Sequence, residues 1–273
     1  MVTSRRRRAL GQHFLSNRSA ALRIVDLFAP LPGARVLEIG PGRGALTAPL
    51  LEAGARVIAV ELDRRLAEGL RERFGDRPGF TLVESDILRC DLSALAQSAG
   101  PPLRVLANLP YSITGPVLMK LFGAAPVLSD MTLMLQREVV ARLVAQPGTR
   151  AYGSLSVLAQ YFTEPRHLMR LEAGSFTPPP AVLSSVVAMP FRTGRELTAA
   201  QEEAYPPFVR RLFARRRRTL HNNLKGSAGP PGDSFLEPER LLAEAGIDGG
   251  RRPETLSREE CIKLYLASRR GLL

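Results

Sequence analysis

The stretch Arg35-Val36-Leu37-Glu38-Ile39-Gly40-Pro41-Gly42-Arg43-Gly44 decides the fold. Its apolar run from Arg35 to Ile39 predicts a buried strand, and the glycines predict a tight turn into a helix from Ala45 to Glu52. Glycine has no Cβ, so backbone in this loop can approach a ligand closely, and the helix start offers free N–H donors. The stretch therefore predicts the first unit of an α/β sheet, with a ligand near the carboxyl end of its strand.

The same alternation of apolar runs and helical patterns continues along the chain. Further strands are predicted at Arg56 to Glu61, Phe80 to Glu84, Leu103 to Ala107 and Met131 to Leu135. Helices are predicted at Asn17 to Phe28, Arg64 to Phe74, Arg137 to Ala145 and Gly153 to Phe162. Nearly continuous apolar strands indicate a parallel sheet covered on both faces. Two later strand candidates, Arg166 to Leu171 and Ser184 to Phe191, are expected to close this sheet as an antiparallel edge.

A change in composition near residue 193 predicts a second domain. The run Arg192-Thr193-Gly194-Arg195 is typical of a linker, and the chain after it is helical in pattern and rich in arginine. We therefore expect an α/β sheet domain with a basic N-terminal arm over residues 1–193. A small all-α domain is expected over residues 194–273.

Charge and composition restrict the partners of the chain. The 273 residues carry a formal net charge of +12 and are 45% hydrophobic, which favours a folded protein with a polyanionic partner. Nucleic acid fits better than a membrane, because no run of 18 apolar residues exists and the segment after Arg5 to Arg8 is too polar for a signal peptide. We expect a cytoplasmic protein. Cys90 and Cys261 lack metal-type spacing, so neither a metal nor a disulfide is predicted.

Asn108-Leu109-Pro110-Tyr111 follows an apolar strand and carries the most specific chemical signal. An amide and a backbone carbonyl can accept the hydrogens of an amine, while a tyrosine ring can stack on a flat ring. This combination at a strand end indicates chemistry on a nucleobase. The alternative is a plain exit from strand to turn, since Asn and Pro are common turn residues.

Two acids at neighbouring strand ends extend this predicted cleft. Glu61 can accept hydrogen bonds from both hydroxyls of a ribose, and Asp86 can accept one from an adenine amine or instead cap a helix. With Ala45, the glycine loop also satisfies the G-x-G-x-x-A pattern of dinucleotide enzymes. The glycine loop and Glu61 alone therefore leave an NAD-dependent oxidoreductase open.

Six motifs, taken together and in order, resemble the KsgA (RsmA) family. They are Gly11-Gln12-His13-Phe14-Leu15, Glu38-Ile39-Gly40-Pro41-Gly42, Val60-Glu61-Leu62-Asp63, Ser85-Asp86, Asn108-Leu109-Pro110-Tyr111 and Phe176-Thr177-Pro178-Pro179-Pro180. That family consists of S-adenosylmethionine-dependent small-subunit rRNA adenine N6-dimethyltransferases. The resemblance covers essentially the whole chain and implies a Rossmann-like class I methyltransferase sheet followed by a small helical domain.

The resemblance also implies a cofactor and a set of residues that bind it. S-adenosylmethionine is expected to contact His13, Leu15, Gly40, Gly42, Glu61, Asp86 and Asn108. Many relatives carry Asn where this chain has His13, so the contact is either through backbone or through a histidine side chain. The implied substrate is a pair of adjacent adenosines near the 3′ end of 16S rRNA, in a small subunit or its precursor, and the implied state is a monomer.

Positioning is expected to matter more than acid/base catalysis, because an adenine amine is a poor nucleophile and the sulfonium donor is already activated. The Asn108 oxygen and the Leu109 or Pro110 carbonyl are expected to hold the amine in line with the methyl carbon. Tyr111 and Phe176 are expected to clamp the flipped-out base between two rings.

Arg215 to Arg218 form one of the densest basic clusters and are expected to contact rRNA phosphates, although a charge run is usually a solvated face. Three other functions stay open at this point. One is a 23S rRNA adenine methyltransferase of the macrolide-resistance type, and another is the NAD-dependent oxidoreductase. The third is a noncatalytic RNA-binding assembly or transcription factor built on the same fold.

Overall fold

The computed structural model describes residues 13–225 and 238–270, so the basic cluster Arg5 to Arg8 lies outside the described residues. Its strands are β1 (Phe14–Leu15), β2 (Arg35–Ile39), β3 (Arg56–Glu61), β4 (Phe80–Glu84), β5 (Leu103–Asn108), β6 (Leu128–Gln136), β7 (Arg166–Leu171), β8 (Phe176–Thr177) and β9 (Ser184–Pro190).

The helices before the carboxyl-terminal part are α1 (Arg18–Phe28), α2 (Thr47–Glu52), α3 (Arg64–Phe74), α4 (Leu92–Ala99), α5 (Thr114–Gly123), α6 (Arg137–Leu143) and α7 (Ser154–Phe162). The later helices are α8 (Ala199–Leu212), α9 (Leu220–Lys225), α10 (Pro238–Ala245) and α11 (Arg258–Arg270).

A seven-stranded sheet in the order β4-β3-β2-β5-β6-β9-β7 forms the framework. Strands β2 to β6 pair in parallel, while β9 pairs antiparallel with both β6 and β7. The predicted parallel sheet with an antiparallel edge is therefore confirmed, and the architecture is the Rossmann-like methyltransferase fold. Because Ile39 lies opposite both Val60 and Ala107, the carboxyl ends of β2, β3 and β5 meet at one edge.

Local sequence explains where the helices begin. Asn17 caps α1 by accepting a hydrogen bond from Ala20 N at 3.0 Å, and Asp63 caps α3 by accepting one from Arg65 N at 2.9 Å. Helix α1 buries Ala21, Ile24, Val25 and Phe28 against the sheet. The helical spacing of the sequence also places Leu22 on that apolar face. In the structure Leu22 is 40% exposed, and Ile24 takes the inner position.

Several elements differ from the sequence-based boundaries. The helix expected from Ala45 begins at Thr47, because the glycine loop continues as turns to Leu46. Helices α4 and α5 were not predicted: α4 is short, and Gly115 and Pro116 in the first turn of α5 read as loop residues. The pairing of β1 with β8 was also missed, since two-residue strands have no periodicity to detect.

Contacts divide the chain into two compact units. The first contains the described residues of Met1–Val140 together with Thr163–Phe191, and the second contains those of Ala141–Phe162 and Arg192–Leu273. This differs from the expected continuous domains, residues 1–193 and 194–273, because residues 141–162 group with the carboxyl-terminal helices. As a statement about independently folding domains, the boundary at 193 stays a prediction.

Aromatic packing explains why residues 141–162 group with the later helices. Tyr161 lies 5.0 Å from Tyr205 between ring centroids, and its hydroxyl donates to Glu202 Oε1 at 2.8 Å. Tyr205 in turn lies 5.2 Å from Tyr265, so one cluster of buried rings joins α7, α8 and α11. Burying such rings is a large favourable term.

Within residues 13–225 and 238–270, no helix is long and apolar enough to cross a bilayer. The same residues contain no group of three or more His, Cys, Asp or Glu side chains that could hold a metal ion. Cys90 and Cys261 are both buried free thiols.

Candidate active site at the carboxyl edge of the sheet

The glycine loop between β2 and α2 forms one wall of the site. Gly40 and Gly42 have φ values of 64° and 60°, which favour glycine, and Gly40 N donates to Val60 O at 2.9 Å. A Cβ added at Gly40 would meet no atom within 4 Å, so this residue faces open space. A Cβ at Gly42 would instead lie 2.9 Å from the Phe14 ring. The loop therefore leaves room for a ligand at Gly40 and is closed by packing at Gly42.

Glu61 ends β3 beside this loop and is only 4% exposed. Its carboxylate accepts hydrogen bonds from Gly42 N at 3.1 Å and Asp63 N at 2.9 Å. Burial raises the pKa of Glu61, while these backbone donors act in the opposite direction by stabilising the anion. The acid is thus held in one place at the loop, as the predicted ribose contact requires, and that contact stays a prediction.

Glu38 is a buried acid that sequence reasoning missed. It is 1% exposed, Thr47 Oγ1 donates to its Oε2 at 2.7 Å, and its Oε1 has no hydrogen-bond partner among the residues that the structure describes. Burial raises the pKa of Glu38 to about 8, opposed by the Thr47 bond and reinforced by the negative charge of Glu61. A charged residue in the otherwise apolar run of β2 was the available signal. Glu38 links β2 to α2 directly behind the glycine loop.

Asp86 follows β4 and is tied into a local turn. Its Oδ1 accepts a hydrogen bond from Leu88 N at 2.9 Å, and its main-chain oxygen accepts from Arg89 N at 2.9 Å. This is the turn-capping role that the sequence left open beside adenine binding. The structure shows the turn role, and the contact with adenine stays a prediction.

Asn108 is the last residue of β5, and its side-chain orientation is fixed by the N-terminal segment. The amide Nδ2 donates to the main-chain oxygen of His13 at 3.0 Å. Since the amide nitrogen faces a carbonyl, Oδ1 is the atom left to accept hydrogens from a ligand amine. This is the orientation that the predicted role of Asn108 requires.

His13 contacts the site through both its backbone and its ring. Its Nδ1 lies 2.8 Å from Pro178 O, and because a carbonyl can only accept, Nδ1 must carry the hydrogen. The His13 and Tyr111 ring centroids are 5.7 Å apart with a tilt of 35°. His13 therefore connects Asn108, Tyr111 and Pro178, whereas its contact with the cofactor stays a prediction.

The main-chain oxygens of Leu109 and Pro110, the two expected acceptors for the adenine amine, differ in their hydrogen bonds. Pro110 O already accepts from Ile113 N at 3.2 Å and from Thr114 Oγ1 at 3.3 Å, within the turn that starts α5. Leu109 is buried at 1% exposure and donates its N–H to Met134 O at 3.4 Å. Among the described hydrogen bonds, none ends on Leu109 O. Pro110 O is thus already engaged and Leu109 O belongs to a buried residue, so which carbonyl accepts from the amine stays a prediction.

Tyr111 is half-buried, and its hydroxyl lies 2.8 Å from Ser184 Oγ. This hydrogen bond joins the end of β5 to the start of β9 and fixes one end of the ring. The ring is therefore both held and partly open, as expected for a stacking partner.

Phe176 is not presented as the two-ring clamp requires. The ring is 3% exposed and belongs to an apolar cluster with Leu15, Leu171 and Val186. Pairing of β8 with β1 explains the burial, because Leu15 lies opposite Phe176 and successive strand residues face opposite sides. Phe176 points inward and Thr177 is exposed. The ring is buried in this structure, and a direct contact of Phe176 with the base stays a prediction.

Leu15 lies at 7% exposure in the same apolar cluster as Phe176. Of the predicted site residues, Gly42 and Glu61 are joined by a hydrogen bond, while Gly40, Glu61 and Asn108 lie at the carboxyl ends of β2, β3 and β5, which meet at one edge. Arg215 to Arg218 belong to the second compact unit, where all of them are exposed in the turn between α8 and α9.

Comparison with known proteins supplies the class of chemistry. A family model described as ribosomal RNA adenine dimethylase matches residues 3–263. Ribosomal RNA small subunit methyltransferase A of Geobacter sulfurreducens is 45% identical, covering 95% of this chain and 94% of its own length.

Solved structures agree on the fold. A dimethyladenosine transferase from Plasmodium falciparum superposes with a TM-score of 0.77 at 24% identity, covering 93% of this chain and 96% of that one. The 23S rRNA methyltransferase ErmE superposes with a TM-score of 0.68 at 26% identity, covering 93% and 98%.

Proposed function

The chain belongs to the ribosomal RNA adenine dimethylase family, and from that premise we propose its substrate, product and site. It is an enzyme that transfers methyl groups from S-adenosylmethionine to N6 of two adjacent adenosines near the 3′ end of 16S rRNA. The products are N6,N6-dimethyladenosines formed during biogenesis of the small subunit. The orientation of the Asn108 amide, set by His13 O at 3.0 Å, is the observation that carries this proposal.

The residues at the sheet edge suit S-adenosylmethionine. The open space at Gly40 admits a ligand against the backbone, and buried Glu61 offers its carboxylate to a ribose. His13, Leu15, Gly42, Asp86 and Asn108 complete the proposed binding set. When bound, the cofactor supplies an electrophilic methyl group on a sulfonium. No metal enters the proposed reaction.

Asn108 and Leu109 position the adenine amine. Asn108 Oδ1 and Leu109 O each accept one hydrogen of the amine, which favours a pyramidal nitrogen with its lone pair directed at the methyl carbon. Alignment of this kind supplies about 7 to 11 kcal/mol at best. A general base is not required, because the nitrogen becomes acidic only as it is alkylated.

The same geometry accounts for addition of a second methyl group. The first product retains one N–H, so it must rotate or rebind before the second transfer. One of the two acceptors, Asn108 Oδ1, belongs to a half-buried side chain. The amine can therefore rotate more readily than it could between two fully enclosed acceptors. The Tyr111 ring, whose hydroxyl is fixed by Ser184, holds the adenine ring in its plane while the amine rotates.

The proposed partner is 16S rRNA in a small ribosomal subunit or its precursor. A net charge of +12 favours a polyanion, and Arg215 to Arg218 are proposed to contact its phosphates. We also propose that the enzyme acts as a monomer in the cytoplasm.

Mass spectrometry of rRNA nucleosides tests the function directly. Purified protein, S-adenosylmethionine and small subunits lacking the modification are expected to yield N6,N6-dimethyladenosine. The matched control is Asn108→Ala, for which we expect almost none. Absence of dimethyladenosine with the unaltered protein would reject the proposal.

The 23S rRNA alternative is not favoured. The likeness to ErmE concerns a chain 26% identical, whereas the relative at 45% identity is named for the small subunit. Primer extension on both rRNAs after incubation separates the two, because a stop within 23S rRNA alone would reverse this preference. Membership of the dimethylase family also speaks against an NAD-dependent oxidoreductase, and retention of Asn108 and Tyr111 speaks against a noncatalytic factor.

A further inference from the structure

One buried side chain holds both ends of the loop Arg215–Arg218. Asn223 in α9 is 3% exposed, and its Oδ1 accepts a hydrogen bond from Arg215 N at 3.1 Å. Its Nδ2 shares two hydrogens among three carbonyl oxygens, those of Arg215 at 3.1 Å, Arg218 at 3.2 Å and Thr219 at 3.1 Å. A single amide therefore satisfies backbone groups at the start and at the end of the loop.

The arginines of this loop differ from others in the same unit in their partners. Arg195 pairs with Glu202 at 2.6 Å, and Arg251 pairs with Glu260. Within residues 13–225 and 238–270, Arg215 to Arg218 form no salt bridge. Arg216 donates to the Arg150 main-chain oxygen at 2.9 Å, a partner that carries no negative charge.

The four residues also line a common open space. A surface hollow of the second unit is lined by Arg215, Arg216, Arg217 and Arg218 and by no other described residue. Four cations around one hollow repel each other, so the loop conformation needs a restraint from the protein or an anion from outside. The structure shows two such restraints, a backbone hydrogen bond from Arg218 N to Arg215 O at 3.0 Å and the buried amide of Asn223.

We propose that Asn223 is a positioning residue, which holds Arg215–Arg218 as a preformed cup for consecutive phosphates of the rRNA backbone. This inference rests on the proposed rRNA substrate. A preformed loop loses less conformational freedom on binding than a flexible one and keeps its guanidinium groups within reach of phosphates, so it binds more tightly and neutralises more phosphates. Asn223 acts on RNA affinity only through the loop and does not contact RNA itself.

The test compares Asn223→Ala with its neighbour Asn222→Ala as matched control. Asn222 is exposed, and its Nδ2 donates only to the Thr219 side chain, at 3.0 Å. Binding of each full-length variant to small subunits lacking the modification is measured over a range of salt concentrations, together with binding of S-adenosylmethionine.

For Asn223→Ala we expect about tenfold weaker subunit binding. The plot of log affinity against log salt concentration should also have a shallower slope. The expected decrease in slope, roughly 0.7 to 0.9, corresponds to one phosphate contact. S-adenosylmethionine binding should be unchanged, and Asn222→Ala should resemble the unaltered protein in every measurement. Unchanged affinity and slope in a folded Asn223→Ala variant would overturn the proposal.

A second variant separates failure of this inference from failure of the proposed RNA contact. If the double variant Arg216→Gln and Arg217→Gln flattens the salt slope but Asn223→Ala does not, the arginines bind RNA without help from Asn223. If neither variant changes the slope, the RNA-binding role of the loop is itself rejected.

Backbone relaxation of the unaltered protein keeps the inference testable if Asn223→Ala does not fold. We expect order parameters for residues 215–218 close to those of the neighbouring helices, about 0.85, in the absence of RNA. Values below about 0.6 would show a flexible loop and would overturn the proposal.

Discussion

The carboxyl end of β5 and the loop Arg215–Arg218 solve two binding problems in opposite ways. At Asn108, hydrogen bonds within the protein occupy the amide nitrogen and the Pro110 carbonyl, which leaves selected oxygens for the target amine. In the loop, the four arginines are exposed and form no salt bridge with any residue in 13–225 or 238–270. We propose from this comparison that geometry at the first region governs turnover, while charge at the second governs salt-dependent binding.

Asn108→Ala should have the largest effect and should separate the two regions most clearly. Removing the Oδ1 acceptor misaligns the amine, so we expect the single-turnover rate to fall by about 10³-fold. Subunit affinity and its salt slope should be unchanged. A comparable loss of subunit affinity would break the distinction between positioning and charge.

Phe176→Ala should act on stability, because the ring lies in the apolar cluster with Leu15 and Leu171. We expect the free energy of unfolding to fall by about 3 kcal/mol, measured by urea denaturation. Phe176→Leu is the matched control and should lose much less. A variant of full stability that binds the target poorly would instead support an exposed role for this ring.

The double variant Arg216→Gln and Arg217→Gln sharpens the other side of the comparison. We expect subunit affinity to fall about tenfold and the salt slope to become shallower by roughly 1.4 to 1.8, for two lost phosphate contacts. The single-turnover rate at saturating subunit should be unchanged. A slower rate at saturation would mean that the loop also affects the chemistry.

Glu38→Gln should have the smallest effect on methyl transfer and should instead change how stability depends on pH. Burial raises the Glu38 pKa from 4.5 to about 8, so between these values the native state binds more protons than the unfolded state. Stability of the unaltered protein should therefore fall as pH rises through this window, by at most about 1.4 kcal/mol per pH unit, and level off above it.

The Gln variant cannot ionise and should lack this decrease. Urea denaturation between pH 5 and pH 8.5 measures the difference between the two proteins. Parallel curves for both would show that Glu38 does not titrate in this range.

The predictable part of the site follows from the sheet. Glu61, Asp86 and Asn108 each terminate or follow an apolar run, and parallel strands bring such ends to one edge, so their proximity is visible in sequence. The contact between Asn108 and His13 is not, because it joins residues 95 positions apart through a carbonyl that any residue carries.

Burial of particular side chains was harder to predict. Glu38 interrupts an apolar strand, and nothing local indicates that Thr47 would satisfy one of its oxygens. The burial of Phe176 depends on pairing between two-residue strands far apart in the chain. The burial of Asn223 was equally hard to predict, since its contacts depend on how the loop Arg215–Arg218 folds back onto this side chain.

A structure of the enzyme with a cofactor analogue and a bound target adenosine tests the central claim most directly. The account predicts that the adenine N6 lies within about 3.2 Å of both Asn108 Oδ1 and Leu109 O, with Asn108 Nδ2 still donating to His13 O. An amide turned so that Nδ2 faces the base, or an N6 bound to Pro110 O instead, would contradict it.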